Sequence, residues 1–170
     1  LVADFRDEYL QGLQPFVARL GQQLLGTSIE LELQRGWKRQ ISLEAAMAEG
    51  LARDQLRGSS GSGPHRADLT VKVAEVTAKD RVSRGQQKML ACTLILAQQV
   101  HRAALGASPA CLLLDDPAAE LDVDNLRKLL AAVTEIPAQL IVTSLNDNVL
   151  DFFPHARMFH VEHGVVQAVA

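Results

Sequence analysis

The stretch Ala110-Cys111-Leu112-Leu113-Leu114-Asp115-Asp116 joins an apolar run to two adjacent carboxylates. A run of this length without alternation predicts a strand covered on both faces of a parallel sheet, and in such sheets ligands sit just beyond the carboxyl ends of the strands. Two acids at that position predict a metal-nucleotide site. Asp115 is suited to hold Mg²⁺, directly or through water, and Asp116 to polarise a water for in-line attack on a terminal phosphate. A plainer role is open for Asp116, which also stands where it would cap the turn before Pro117.

Upstream, Ser83-Arg84-Gly85-Gln86-Gln87-Lys88 opens a helix whose apolar positions Leu90, Leu94, Ile95 and Ala97 recur at helical spacing to about residue 105. A helix start with a hydroxyl and a glycine offers free backbone N–H groups and the positive end of the dipole to a phosphate. Ser83 followed by Gln86 is equally a capping box, which needs no ligand. The order of features is more specific than any one of them. A phosphate-type helix start, one long helix, an apolar strand and paired acids lead into Ala118-Ala119-Glu120-Leu121-Asp122.

With these motifs in this order the chain resembles the ABC-type ATPases, and within them the RecF family. Ser83-Arg84-Gly85-Gln86-Gln87 is similar to the family's signature motif, Leu112-Leu113-Leu114-Asp115-Asp116 to its Walker B strand, and Ala119-Glu120-Leu121-Asp122 to its D-loop. Gly63-Pro64-His65-Arg66-Ala67-Asp68 resembles a further stretch that precedes the signature. The resemblance implies an α/β fold, the carboxyl-terminal part of a P-loop ATPase head with part of a helical and strand lobe. Residues 1–80 would form part of the arm lobe, and residues 81–170 the second half of the ATPase core. It also implies ATP and Mg²⁺ as ligands, with Asp115 on the metal, Asp116 on the water, and Ser83, Arg84, Gly85 and Gln86 meeting nucleotide bound by a second subunit. Glu120 and Asp122 would lie in the D-loop. His65 and Arg66 would either support the nucleotide or couple the lobe to the sheet. The implied partners are DNA at single-stranded/double-stranded junctions, a second copy in an ATP-dependent homodimer, and RecO- and RecR-type proteins that help load the RecA recombinase.

Several features depart from the family pattern. Many ABC ATPases carry a histidine after the next strand, where this chain reads Leu140-Ile141-Val142-Thr143-Ser144-Leu145-Asn146, leaving the γ-phosphate contact to Thr143 or Ser144. Asp116 is one methylene shorter than the glutamate common in transporters, so slow hydrolysis is expected. No Gly-Lys dipeptide occurs, so the phosphate loop G-x-x-x-x-G-K-[ST] is missing, and the chain opens on Leu1. A carboxyl-terminal portion of a longer protein, inactive alone, is therefore expected. The competing readings are a non-hydrolysing interaction module and a head fragment of an SMC or Rad50-type protein. Those heads extend into long heptad-patterned coiled coils, and residues 1–57 show no sustained heptads.

At 170 residues and 48% apolar, the chain can bury one sizeable core. Its apolar runs fall far short of the ~18 residues of a membrane span. Cys92 and Cys111 are expected as small core residues in a reducing cytoplasm. A net charge of −3 does not advertise nucleic-acid binding, so DNA contacts are expected in local patches or in the part of the longer protein outside this chain. Arg35, Lys38 and Arg39 around Trp37 are open to two readings, a nucleic-acid patch with an aromatic platform or a solvated turn.

Periodicity predicts helix over 4–25, with Gly12 and Pro15 splitting it in two, and a strand at Ile29–Leu33. A helix over 42–57 follows, with Leu43, Met47, Leu51 and Leu56 on its apolar face, then a mobile Gly/Ser loop and a strand at Leu69–Val73. Beyond the signature helix, strands at 110–115 and 139–144 flank a helix at 122–134. A hairpin turning at His163-Gly164 closes the chain.

Overall fold

The computed structural model describes residues 2–145 and 147–169, without the side chains of Asp80, Arg81, Glu120, Asp147, Asn148 and Leu150. Asn146, the last residue of the Leu140-to-Asn146 stretch that stands where many ABC ATPases carry a histidine, lies outside the described residues.

Helix α1 runs unbroken over Val2–Leu25 with Pro15 inside it, contrary to the expected split. Proline removes one i→i−4 hydrogen bond, but tertiary packing holds this helix on both sides of the defect. Leu13, Val17, Leu20 and Leu24 are buried on one face. Gly12 is no helix break but a close-approach site, where a Cβ would come 2.9 Å from Nε2 of His101. Strand β1, Ile29–Gln34, returns along the helix. Gln14 fastens the two, its Nε2 donating to Ile29 O at 2.8 Å and its Oε1 accepting from Leu31 N at 2.9 Å.

Helix α2, Leu43–Arg57, begins at the cap Ser42 and ends at Gly58 in the left-handed region. Its buried positions are Ala46 and Gly50. Met47, Leu51 and Leu56, read as a core-facing stripe, are exposed, Leu56 at 91%. The small residues face the protein because the following Gly/Ser loop folds back against that side. Ser60 Oγ donates to Ser62 O at 2.8 Å and lies 3.3 Å from Asp54 Oδ2, so this segment is pinned rather than the mobile loop that composition predicts. Strands β2, Asp68–Val73, and β3, Val76–Thr77, complete an antiparallel sheet in the order β1-β2-β3, with Ile29 opposite Val73 and Gln34 opposite Asp68.

A short helix α3, Ala78–Arg81, leads into the long helix α4, Arg84–Ala104. Its buried stripe is Met89, Leu90, Thr93, Leu96, Ala97 and His101, whereas Ile95 is half exposed. Strand β4, Cys111–Asp115, is followed by the single turn α5, Pro117–Glu120, helix α6, Val123–Thr134, and strand β5, Gln139–Thr143. β5 pairs in parallel with β4, Leu113 opposite Ile141. One core cluster joins α1, β1, α4, β4 and α6 through residues such as Leu20, Ile29, Met89, Leu112 and Leu129.

The β4–β5 sheet is covered on one face only. Leu112 is 8% exposed, but its neighbour Leu113 is 71% exposed and Ile141 47%. Cys111 lies on the same open side and is exposed, against the expectation of a core thiol, while Cys92 is half-buried. The expected burial on both faces is absent because, among the described residues, a single helical layer covers the two strands and nothing is set against the second face. Strands β6, Met158–Glu162, and β7, Val165–Val169, form the closing hairpin. His163 and Gly164 take φ +48° and +78°, the double left-handed turn that suits a two-residue hairpin.

Candidate nucleotide site

Parallel register sets Asp115 directly opposite Thr143 at the carboxyl ends of β4 and β5. The Thr143 hydroxyl donates to Asp115 Oδ1 at 2.6 Å. The backbone N–H of Asp116 is shared between Thr143 O at 3.1 Å and Thr143 Oγ1 at 3.0 Å. One threonine thus ties both acids to the neighbouring strand. Side chains alternate across a strand, so Asp115 shares the open face of the sheet with Leu113. The sequence pattern located the acids, but only the register shows that Thr143 is their partner.

Asp116 has left-handed backbone at φ +37°, ψ +59°. That conformation costs a non-glycine residue roughly 1–2 kcal/mol. Its side chain makes no capping hydrogen bond to α5, so the plainer role is not realised. Instead Asp116 Oδ1 is buried without a hydrogen-bond partner among the described residues. A buried acceptor left unmet costs about 1–3 kcal/mol. Backbone strain and an unmet carboxylate oxygen thus coincide at Asp116.

The donor set is hard oxygen throughout: two carboxylates and a hydroxyl. This fits Mg²⁺, which binds through one or two carboxylates and completes its shell with phosphate and water. Among the described residues no group of three His, Cys, Asp or Glu side chains is placed to hold a metal alone.

At the start of α4 the capping box is fully formed. Ser83 N–H donates to Gln86 Oε1 at 2.9 Å, and Gln86 N–H to Ser83 Oγ at 3.3 Å. A Cβ added at Gly85 would meet nothing within 4 Å, so backbone there is open to a close approach. Arg84 and Ser83 are exposed, and among the described residues no hydrogen bond links this turn to Asp115 or Asp116. Asp122 caps α6, accepting from Asn125 N–H at 2.8 Å and Asn125 Nδ2 at 2.7 Å. The Asn125 backbone bond, foremost, holds its carboxyl below the usual aspartate value. The side chain of Glu120 lies outside the described residues. Ser144 follows β5 and is exposed.

His65 and Arg66 are placed on the loop beside α2. His65 Nε2 lies 3.2 Å from Ser60 O, and Arg66 Nε donates to the same oxygen at 2.9 Å. Arg6 in α1 donates to Pro64 O at 3.1 Å. A cluster missed in the sequence stands nearby. Arg35 binds Asp7 through Nε at 2.8 Å and Asp4 through Nη2 at 3.1 Å, and Arg39 binds Asp7 at 3.3 Å. These partners lie some thirty positions apart, so no local pattern announces them.

Paired parallel strands ending in two acids, with a capped helix before them, form a mixed α/β fold whose structural neighbours are RecF and SMC head domains. A solved structure of the recombination mediator protein RecF with ATP matches with a TM-score of 0.72 at 22% identity, over 98% of this chain and 46% of that one. An SMC ATPase, from work on ATP-driven dimerisation and DNA-stimulated activation, gives 0.62 at 17% identity, over 98% and 88%. At those identities the likeness is one of fold. The DNA replication and repair protein RecF of Vibrio vulnificus is 34% identical over 170 residues, 98% of this chain and 47% of that protein. RecF of Shewanella frigidimarina is 34% identical over 172 residues, 99% and 48%. The chain is homologous to the carboxyl-terminal half of RecF, and it spans about half the length of the curated relatives it matches. No protein-family model matches it.

Proposed function

We propose that this chain is part of a RecF-like DNA replication and repair ATPase that dimerises on ATP. The observation that carries the reading is the Asp115–Thr143–Asp116 cluster at the ends of paired parallel strands, with one Asp116 oxygen buried and unmet. Asp115 and the phosphates would hold Mg²⁺, which when bound neutralises charge on the β- and γ-phosphates. Asp116 accepts a hydrogen bond from the attacking water through its unmet oxygen and draws its proton. Ser83, Arg84, Gly85 and Gln86 present the N-terminus of α4 to nucleotide on the opposing subunit, so ATP closes the homodimer and hydrolysis reopens it. Glu120 and Asp122 border that interface. The phosphates also require a lysine-bearing glycine loop, which these 170 residues do not contain.

The proposed setting is the cytoplasm, at gapped DNA, where the dimer assists RecA loading with RecO- and RecR-type proteins. Among the described residues no helix is long and apolar enough to cross a membrane.

ATP turnover and sedimentation of the full-length protein test the reading. Asp116→Asn removes the charge that polarises water and should lower turnover roughly 10²–10⁴-fold, the usual range for a general base, while ATP still drives dimerisation. Asp115→Asn should in addition raise the Mg²⁺ concentration needed. Unchanged turnover in Asp116→Asn would remove the role assigned to it.

A further inference from the structure

Away from the acids, beside α1 and β1, lies a depression of about 340 Å³ whose wall includes Arg35, Trp37, Arg39 and Arg66. Two segments distant in sequence converge to form it. Gly36 has φ +90°, and a side chain there would drive its Cβ against Gly63 O and to 2.8 Å from Ala67 N. Gly63 N–H donates to Gly36 O at 3.2 Å. The Gly-Pro-His-Arg stretch is therefore locked against the Arg-Gly-Trp-Lys-Arg turn.

The arginines differ in how they are held. Arg35 is closed off by Asp7 and Asp4 and serves as a strut. Among the described residues Arg39 bonds through Nη2, toward Asp7 Oδ1 and Leu33 O, and Arg66 through Nε, toward Ser60 O. A guanidinium carries five N–H donors, so each keeps others for an acceptor from outside while its position is fixed. Trp37 is half-buried and lines the same depression, and Lys38 beside it in the chain is 76% exposed. Glu32 on the rim is neutralised by Lys72 at 2.8 Å.

An aromatic ring and two held guanidinium groups lining one depression offer a stacking surface for a base and donors for phosphates, the two features a single strand alternates. We infer that this depression contacts single-stranded nucleic acid, with Trp37 stacking on a base and Arg39 and Arg66 binding the flanking phosphates. The inference deepens the DNA-directed reading above and rests on it. Its test involves no ATP, so failure of strand binding and failure of ATP-driven dimerisation are separate results.

Trp37 is the only tryptophan of the chain, so its fluorescence reports on the site directly. Oligothymidylate of about 20 nucleotides, longer than the ~4–16 a comparable single-strand site covers, should quench that emission when added to the full chain. Two phosphate contacts at about 0.7 each predict a slope near −1.4 for log affinity against log salt, falling to about −0.7 in Arg39→Ala. Trp37→Ala should weaken binding of a labelled strand, followed by anisotropy, roughly 5- to 100-fold, while Trp37→Phe keeps most of it. Arg57→Glu, a charge change at the end of α2 outside the depression, should leave affinity unchanged. Absent quenching, equal affinity for a duplex of the same length, or an Arg57→Glu loss matching that of Arg39→Ala would overturn the assignment. If circular dichroism shows Trp37→Ala unfolded, the Arg39→Ala salt slope and the Trp37→Phe affinity decide.

Discussion

Ser83 occupies a position where two roles predict different losses. As a helix cap, its oxygen satisfies an otherwise orphaned N–H at the start of α4, and Ser83→Ala should cost about 0.5–2 kcal/mol in melting experiments. As a surface presented to another subunit's nucleotide, it would be blocked by Ser83→Arg, which should abolish the ATP-dependent dimer and leave nucleotide binding by the monomer nearly unchanged. Sedimentation of full-length wild type and variant with and without ATP separates the two. Asp122 gives a pH-dependent test. Its carboxyl titrates below the ordinary aspartate value because Asn125 stabilises the ionised form, so it contributes stability above that value and loses it as pH falls through the lowered one. Asp122→Ala should therefore melt below wild type at neutral pH. The difference should narrow as pH drops below about 3.9.

Among the elements, α1 shows how contact outweighs local preference. Gly21 lies in its interior, where alanine would normally gain up to about 1 kcal/mol of helix propensity. Here a Cβ would meet Ile29 Cδ1 at 2.7 Å and Thr27 O at 3.1 Å, and Ile29 is wholly buried. Overpacking typically costs about 1–3 kcal/mol, so Gly21→Ala should be destabilising by roughly 1–2 kcal/mol in urea unfolding. The same helix carries Pro15 without breaking, for the same reason: its buried stripe faces α4 and β1 along its length. α2 has no comparable partner among the described residues. Its small positions face inward and its larger ones, Met47, Leu51 and Leu56, face solvent.

For the whole molecule, the asymmetry of the β4–β5 sheet makes a specific expectation. Leu112→Ala should cost the isolated chain about 2–5 kcal/mol, because Leu112 belongs to the main core. Leu113→Ser, one residue along on the open face, should change stability by less than about 0.5 kcal/mol. Purified 170-residue chain should also show no ATP turnover, since it lacks the Gly-Lys phosphate loop. A steady rate free of contaminants would contradict this.

The sequence alone determined what is local or periodic. The apolar run ending in Asp115 and Asp116, the Ser83–Gln86 cap and the His163-Gly164 turn are each written within a few adjacent positions, and the order of the motifs was enough to indicate the family. Helix and strand positions followed because periods of 3.6 and 2 are set by backbone geometry. Tertiary structure decided whatever depends on residues distant in sequence. Thr143 meets Asp115 only through parallel register across twenty-eight positions. Gly36 and Gly63 meet only by loop closure, and the Asp7–Arg35 cluster only by the return of β1 along α1. Burial was likewise beyond the sequence: an apolar run states that a strand can be covered, but Leu113 and Cys111 are open because, among the described residues, no layer stands opposite them.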